Sequence, residues 1–182
     1  MRTPWPSRAG DLVLRRPQPS ELDDLLALRN DPACNRFMMR THVEPETFRR
    51  EWLSPGDGDH SCVAALDGRV VAIGFLEVED GMGQPGMPRG TQGSIGYLVS
   101  PGHWGRGVAS ALVGGLLTAA FDHLGLRRVT AGCNADNHAS ARVLEKSGMR
   151  REQHGVEDSW HADLGWVDGY TYALLAREWR AR

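Results

Sequence analysis

A mixed α/β fold is what this sequence predicts, and three observations carry the prediction. Leu22, Leu25, Leu26 and Leu28 form an apolar stripe at helical spacing near the start. Asp67-Gly68 separates two strand-like runs, the signature of an antiparallel hairpin. A third run, 95–99, ends at Pro101, passes through a glycine-rich turn and opens into an uninterrupted Ala/Leu/Val helix. Helices first, then a hairpin, then a β-α-β-α-β-β tail fit neither an all-helical nor an all-parallel plan.

Taken in order, residues 12–15 alternate as a first strand, and Ser20 is placed to cap a helix reaching Arg29. Asn30-Asp31-Pro32 is a turn signal that stops it. Pro45 suits the first position of a second helix running to about Leu53, which the 54–58 segment, Ser-Pro-Gly-Asp-Gly, breaks. Residues 60–66 and 69–79 are the hairpin strands. Residues 80–93 are rich in Gly and Pro without periodicity and read as a mobile loop. A helix follows from about Val108 to Leu124 and ends at Gly125. Residues 128–133 are β-branched and apolar enough for a strand. Asn137 caps a helix over 139–147, closed by Gly148. Strands near 149–157 and 170–177, joined by a loop rich in Trp and Asp, finish the chain.

At 182 residues the chain reads as one domain, 1–182, with 41% hydrophobic and 24% charged residues, enough to bury a core. A net charge of −2 gives no basic excess for nucleic acid, and no apolar run reaches membrane-spanning length. The first residues lack the apolar core of a signal peptide, so a cytoplasmic protein is expected. Cys34, Cys62 and Cys133 are far apart and odd in number, which suits reduced thiols rather than a disulfide framework. No ligand spacing links the seven histidines, so no metal is expected.

The chemistry concentrates in residues 94–117. A glycine-rich turn feeding a helix N-terminus presents unpaired N–H groups and the positive end of a dipole, which together make an anion site. Gly105 and Gly107 let the main chain approach a pyrophosphate with no Cβ in the way. Val108-Ala109 follow Gly107 where a Walker A loop needs Lys-Ser/Thr, which excludes that motif. A helix-capping turn without a ligand is the plainer alternative. A second motif lies about 30 residues on: residues 134–149 place Asn137 at a helix cap, Ser140 in the first turn and a glycine at the end.

Together these two segments resemble the GNAT superfamily of N-acetyltransferases. The early helix pair, the hairpin and the closing run 166–179 look like its RimJ/RimL branch. The resemblance implies a twisted, mostly antiparallel sheet of about seven strands flanked by about four helices, splayed where acetyl-coenzyme A enters. It implies main-chain contacts from Leu98 and Val99 to the pantetheine. Gly105, Arg106, Gly107, Val108 and Ala109 would wrap the pyrophosphate, and Asn137 would contact the pantetheine arm. Trp104 occupies the usual Gln/Arg place, which removes one polar contact. The partners implied are acetyl-coenzyme A and an amine acceptor, either a protein N-terminus or a small amine, bound to a monomer or homodimer.

For catalysis, many relatives carry a Tyr seven residues after the Asn; here Leu144 stands there and cannot donate a proton. Ser140 is the Ser of the RimJ/RimL branch and would bind or protonate the departing thiolate. Glu77 is the first candidate for general base, with Glu157, His161 and Asp163 as alternatives. A Glu often found just before Ile-Gly-Tyr in this branch is missing, since Gly93-Ser94 precede Ile95. Trp160 and Trp166 bracket the last loop, where they wall a substrate pocket or simply pack. Two other functions remain: a coenzyme A sensor that has lost turnover, and a dinucleotide-dependent oxidoreductase using the same turn.

Overall fold

The computed structural model describes residues 3–182. One sheet of eight strands runs through it in the order β1-β2-β3-β4-β5-β6-β8-β7. Its strands are β1 (Ser7–Ala9), β2 (Leu12–Arg15), β3 (Cys62–Leu66), β4 (Arg69–Glu79), β5 (Gln92–Val99), β6 (Arg128–Asn134), β7 (Arg150–His161) and β8 (Gly165–Leu175). The helices are α1 (Leu22–Asn30), α2 (Pro32–Asn35), α3 (Pro45–Leu53), α4 (Val108–Thr118), α5 (His138–Lys146) and α6 (Ala176–Trp179). Among the described residues, every pairing is antiparallel except β5 with β6. A doubly wound dinucleotide-binding sheet is mostly parallel, so this topology leaves the oxidoreductase reading without its scaffold.

Strand alternation sorts the core into two layers. Cys62, Ala64, Ala72 and Leu76 pack with Leu112, Leu116 and Leu144 of α4 and α5. Val63 and Ile73 point the other way, against Leu22, Leu25, Phe48 and Trp52 of α1 and α3. The central helix lies very close to the sheet. A Cβ on Gly74 would stand 3.0 Å from Leu112 Cδ1 and 3.2 Å from Leu116 Cδ2, and one on Gly115 would collide with Leu14.

The splay follows from where the parallel pairing stops. β5 and β6 are in register only from Gln92↔Arg128 to Ile95↔Ala131. Beyond that, β5 stays with β4 as far as Ala72↔Val99, while β6 stays with β8 as far as Asn134↔Gly169. The two strands diverge, and the gap opens below the turn that leads into α4.

Several local expectations need correction. Ser20 is not a cap: Pro19–Glu21 form a 3-10 turn, and Glu21 bonds back to the Gln18 N–H at 2.7 Å. Asp31 caps the extra turn α2 through the Ala33 N–H. β1 is too short to show alternation in sequence. The Gly/Pro-rich loop ends at residue 91, and its base is held by Asp80, which accepts from Gly90 N at 2.7 Å and pairs with Arg89. The expected Trp- and Asp-rich loop is the outer half of the β7–β8 hairpin. Irregularities between Gly155 and Ser159, with Glu157 at φ 47°, break the alternation there and hide the strand from a periodicity argument.

Candidate active site

The turn and the two diverging strands define the cofactor side. Gly105 and Gly107 have φ of 71° and 82°, a left-handed conformation in which an L side chain is strained. Gly107 is the N-cap of α4 and no side chain caps that end, so the first-turn amides, including those of Val108 and Ala109, face outward. Arg106 projects into solvent beside them. This is a cradle suited to a diphosphate.

Ladder alternation decides which strand groups face the gap. Ser100 N bonds Val71 O at 2.9 Å, so even-numbered residues of β5 exchange bonds with β4. Leu98 therefore spends its amide and carbonyl on Ile73 and cannot offer them to a pantetheine. Tyr97 and Val99 direct theirs toward β6. The Val99 carbonyl is already engaged, since Trp104 Nε1 donates to it at 2.7 Å. Trp104 thus folds back and pins the turn to the strand end, which leaves the Val99 N–H for a ligand.

Across the gap, Asn137 Oδ1 accepts from Ser140 N at 3.1 Å and fixes the start of α5. The Asn137 amide nitrogen remains for another partner. Ser140 Oγ lies 2.8 Å from the Tyr97 hydroxyl, a neighbour the sequence reading passed over. The signal was present: Tyr97 shares the parity of Ile95 and Val99, which face α4 and α5. Burial pushes the Tyr97 phenol up to about 12, against the pull of its bond with Ser140. Leu144, at the place where many relatives carry Tyr, is fully buried in the core. The phenol next to Ser140 therefore comes from a strand and not from α5.

None of the cysteines is activated. Burial raises Cys34 to about 11 and Cys62 to about 12, and it raises Cys133 despite a hydrogen bond from Ser140. A thiol so held stays protonated and is a poor nucleophile.

On the opposite face of the sheet, Glu77 and Ser94 sit directly across from each other in the β4–β5 register, with Phe75 and Gly96 one step along the same face. These residues floor a cavity of roughly 660 Å³ whose walls include Arg50 and Trp52 of α3 and Asp59 of the following loop. Glu77 is exposed into it. Glu77 thus presents a carboxylate on the same face as position 94, one strand over.

The alternative bases lie elsewhere. Glu157 and Asp163 are on the outer hairpin, and the Glu157 N–H is held by Asp168 at 2.9 Å. His161 is 3% exposed, and its Nδ1 accepts from the Asp163 and Leu164 amides, so it has no free basic nitrogen. Trp160 and Trp166 stack edge-to-face at 5.4 Å as a cross-strand pair, exposed and away from the cavity lining. That contact favours packing over the pocket-wall reading.

Comparison with known proteins bears on this arrangement. A family model described as an acetyltransferase (GNAT) domain matches residues 11–150. The uncharacterized N-acetyltransferase YnaD of Bacillus subtilis is 35% identical over 85 residues, 47% of this chain, and that match spans about half (49%) of its length. The uncharacterized N-acetyltransferase p20 of Bacillus licheniformis is 25% identical over 92% of this chain and 94% of its own. Among solved structures, spermidine N-acetyltransferase from Vibrio cholerae, in complex with CoA and spermine, superposes with a TM-score of 0.81. It is 16% identical, over 93% of this chain and 98% of that one, a likeness of fold.

Proposed function

Because the chain belongs to the GNAT family of N-acetyltransferases, we propose that it transfers the acetyl group of acetyl-coenzyme A to a primary amine by direct attack. The observation that carries this reading is the pairing of two half-sites across one splayed seam. The outward amides of the α4 N-terminus and Tyr97–Ser140 lie on one face, and the Glu77 cavity lies on the other.

In this reading the main-chain amides of residues 105–109 hold the diphosphate and the Val99 N–H meets the donor arm or the carbonyl oxygen. A preorganised donor at a developing oxyanion is worth about 3 kcal/mol. The acceptor enters from the cavity. Glu77, directly or through a water, takes the proton that an ammonium must lose before it can attack. The amine lone pair forms the C–N bond, the now cationic nitrogen gives its second proton to water, the tetrahedral centre collapses, the C–S bond breaks, and sulfur leaves with the electron pair. Ser140 receives that thiolate in the first turn of α5, where the helix dipole favours negative charge. With every thiol held protonated, direct transfer is favoured over an acyl-cysteine intermediate. The acceptor is a small amine or a peptide N-terminus, since the cavity is open to both.

The test is thiol release from acetyl-coenzyme A across a panel of amines and peptides beginning with Ser or Ala, beside calorimetric titration of the cofactor. Binding with amine-dependent thiol release is expected. Absence of binding by folded protein overturns the proposal, and binding without turnover on any acceptor favours a sensor.

A further inference from the structure

The contact between β5 and α5 goes beyond a role for Ser140 alone. Tyr97 Oη is 2.8 Å from Ser140 Oγ and 3.3 Å from the Ser140 carbonyl oxygen. The phenol has one proton and two acceptors on the same residue. When it donates to the carbonyl, the Ser140 hydroxyl donates to the phenol and its proton is engaged. When it donates to Oγ, the Ser140 proton is released toward its remaining neighbours, the Cys133 sulfur or a bound thiolate. The Asn137 cap holds the Ser140 backbone in place throughout, so the exchange needs only two hydroxyl rotations.

We infer that Tyr97 is a positioning residue for the leaving group: by donating to Ser140 Oγ it turns the serine O–H toward the departing sulfur. This deepens the reading of Ser140 given above and rests on it. As the C–S bond breaks and its electron pair stays on sulfur, the serine proton swings to the sulfur and the phenol proton swings to Oγ. No covalent O–H bond breaks. The proton that finally neutralises the thiolate comes from water. Acidity agrees with this division of labour. A phenol held at about 12 keeps its proton in the presence of a thiolate whose conjugate acid lies near 8.5. The pair therefore solvates the thiolate and does not titrate it.

The consequence can be measured without knowing the amine, because coenzyme A itself carries the thiol. The probes are coenzyme A, its sulfur-free analogue desulfo-coenzyme A, and acetyl-coenzyme A, each titrated calorimetrically at pH 7 and pH 9.5. The desulfo analogue subtracts the other groups around the contact, the Cys133 thiol, Glu145 and the Tyr172 phenol bonded to it. In the wild-type protein, coenzyme A should gain about tenfold over the desulfo analogue between the two pH values, the scale of one hydrogen bond to a charged group. Tyr97→Phe should lose most of that gain, Ser140→Ala should lose it as well, and the double variant should lose no more than Ser140→Ala. Acetyl-coenzyme A, with no ionisable sulfur, should bind all four proteins alike, which reports that the fold is intact.

A full gain retained by Tyr97→Phe, or losses that add in the double variant, overturns the inference. So does a wild-type protein that binds coenzyme A with no gain over the desulfo analogue. Failure to bind any of the three overturns the acetyltransferase assignment instead.

Discussion

Glu77 shows how a single side chain can be displaced along a sheet without leaving its place in space. The register sets it opposite Ser94, so a carboxylate reaches the cavity from β4 instead of β5. Glu77→Gln keeps the shape and removes the basic oxygen; turnover should fall by about 10²-fold, as steady-state rates will show. Ser140→Ala should lower kcat by one to two orders of magnitude, roughly the worth of a lost transition-state donor. Its acetyl-coenzyme A dissociation constant should stay within about twofold, because the hydroxyl acts on the leaving group. Gly107→Val places a β-branched residue at φ 82°, a strain of about 1–3 kcal/mol. The free turn should relax away from that conformation, so restoring it for the cofactor should weaken binding by about 5- to 150-fold by calorimetry. The turn at Gly105 and Gly107 and the Asn137 cap on Ser140 were legible in the sequence because such local geometry depends on spacing along the chain. Tyr97 was not, since its partner lies 43 residues away and only the folded sheet brings them together.

α4 is the piece on which both faces of the cofactor side depend. Its apolar composition made it readable, and so did the strand and turn before it. Its depth against the sheet was not readable, because Gly74 and Gly115 look like helix and strand breakers until their neighbours are known. Gly74→Val forces branched atoms against Leu112, Leu116 and Cys62, and overpacking of this kind costs about 1–3 kcal/mol. It should lower the midpoint of urea unfolding and weaken acetyl-coenzyme A binding together, because the displaced helix carries the amides proposed to hold the diphosphate. The last hairpin illustrates the opposite failure. β7 has two irregular stretches, so the period-2 pattern ended early and the Trp160–Trp166 pair passed for part of a loop.

Across the molecule, helices cover both sides of the β2–β5 region, while a ladder of alternating charge supports the far edge. Arg128 pairs with Glu152, Glu152 with Arg150, and Arg150 with Glu178, all at 2.5 Å. Hydrogen bonds from Arg128, then Arg150, hold Glu152 down at about 2, below its ordinary 4.5. Since the folded value is the lower one, this ladder stabilises the protein above about 4.5, and the contribution drains away as pH falls toward 2. Thermal melts between pH 6 and pH 3 should show a shallower loss of Tm in Arg128→Ala than in the wild type, because the variant has already lost the ladder at neutral pH. The mixed architecture was readable from the order of elements. The single parallel pair that opens the sheet was not, because register depends on contacts between segments distant in sequence.

Where β5 parts from β6, two amides of one strand, Tyr97 and Val99, point across a gap that no neighbouring strand spans. An extended donor carrying its own amide groups is the right width to run alongside β5 and complete the row. Deuterium uptake at these two positions should slow when coenzyme A is added, while Leu98 between them, already bonded to β4, should not change. The sheet would then have one more ribbon when occupied than when free, with the guest serving as an edge.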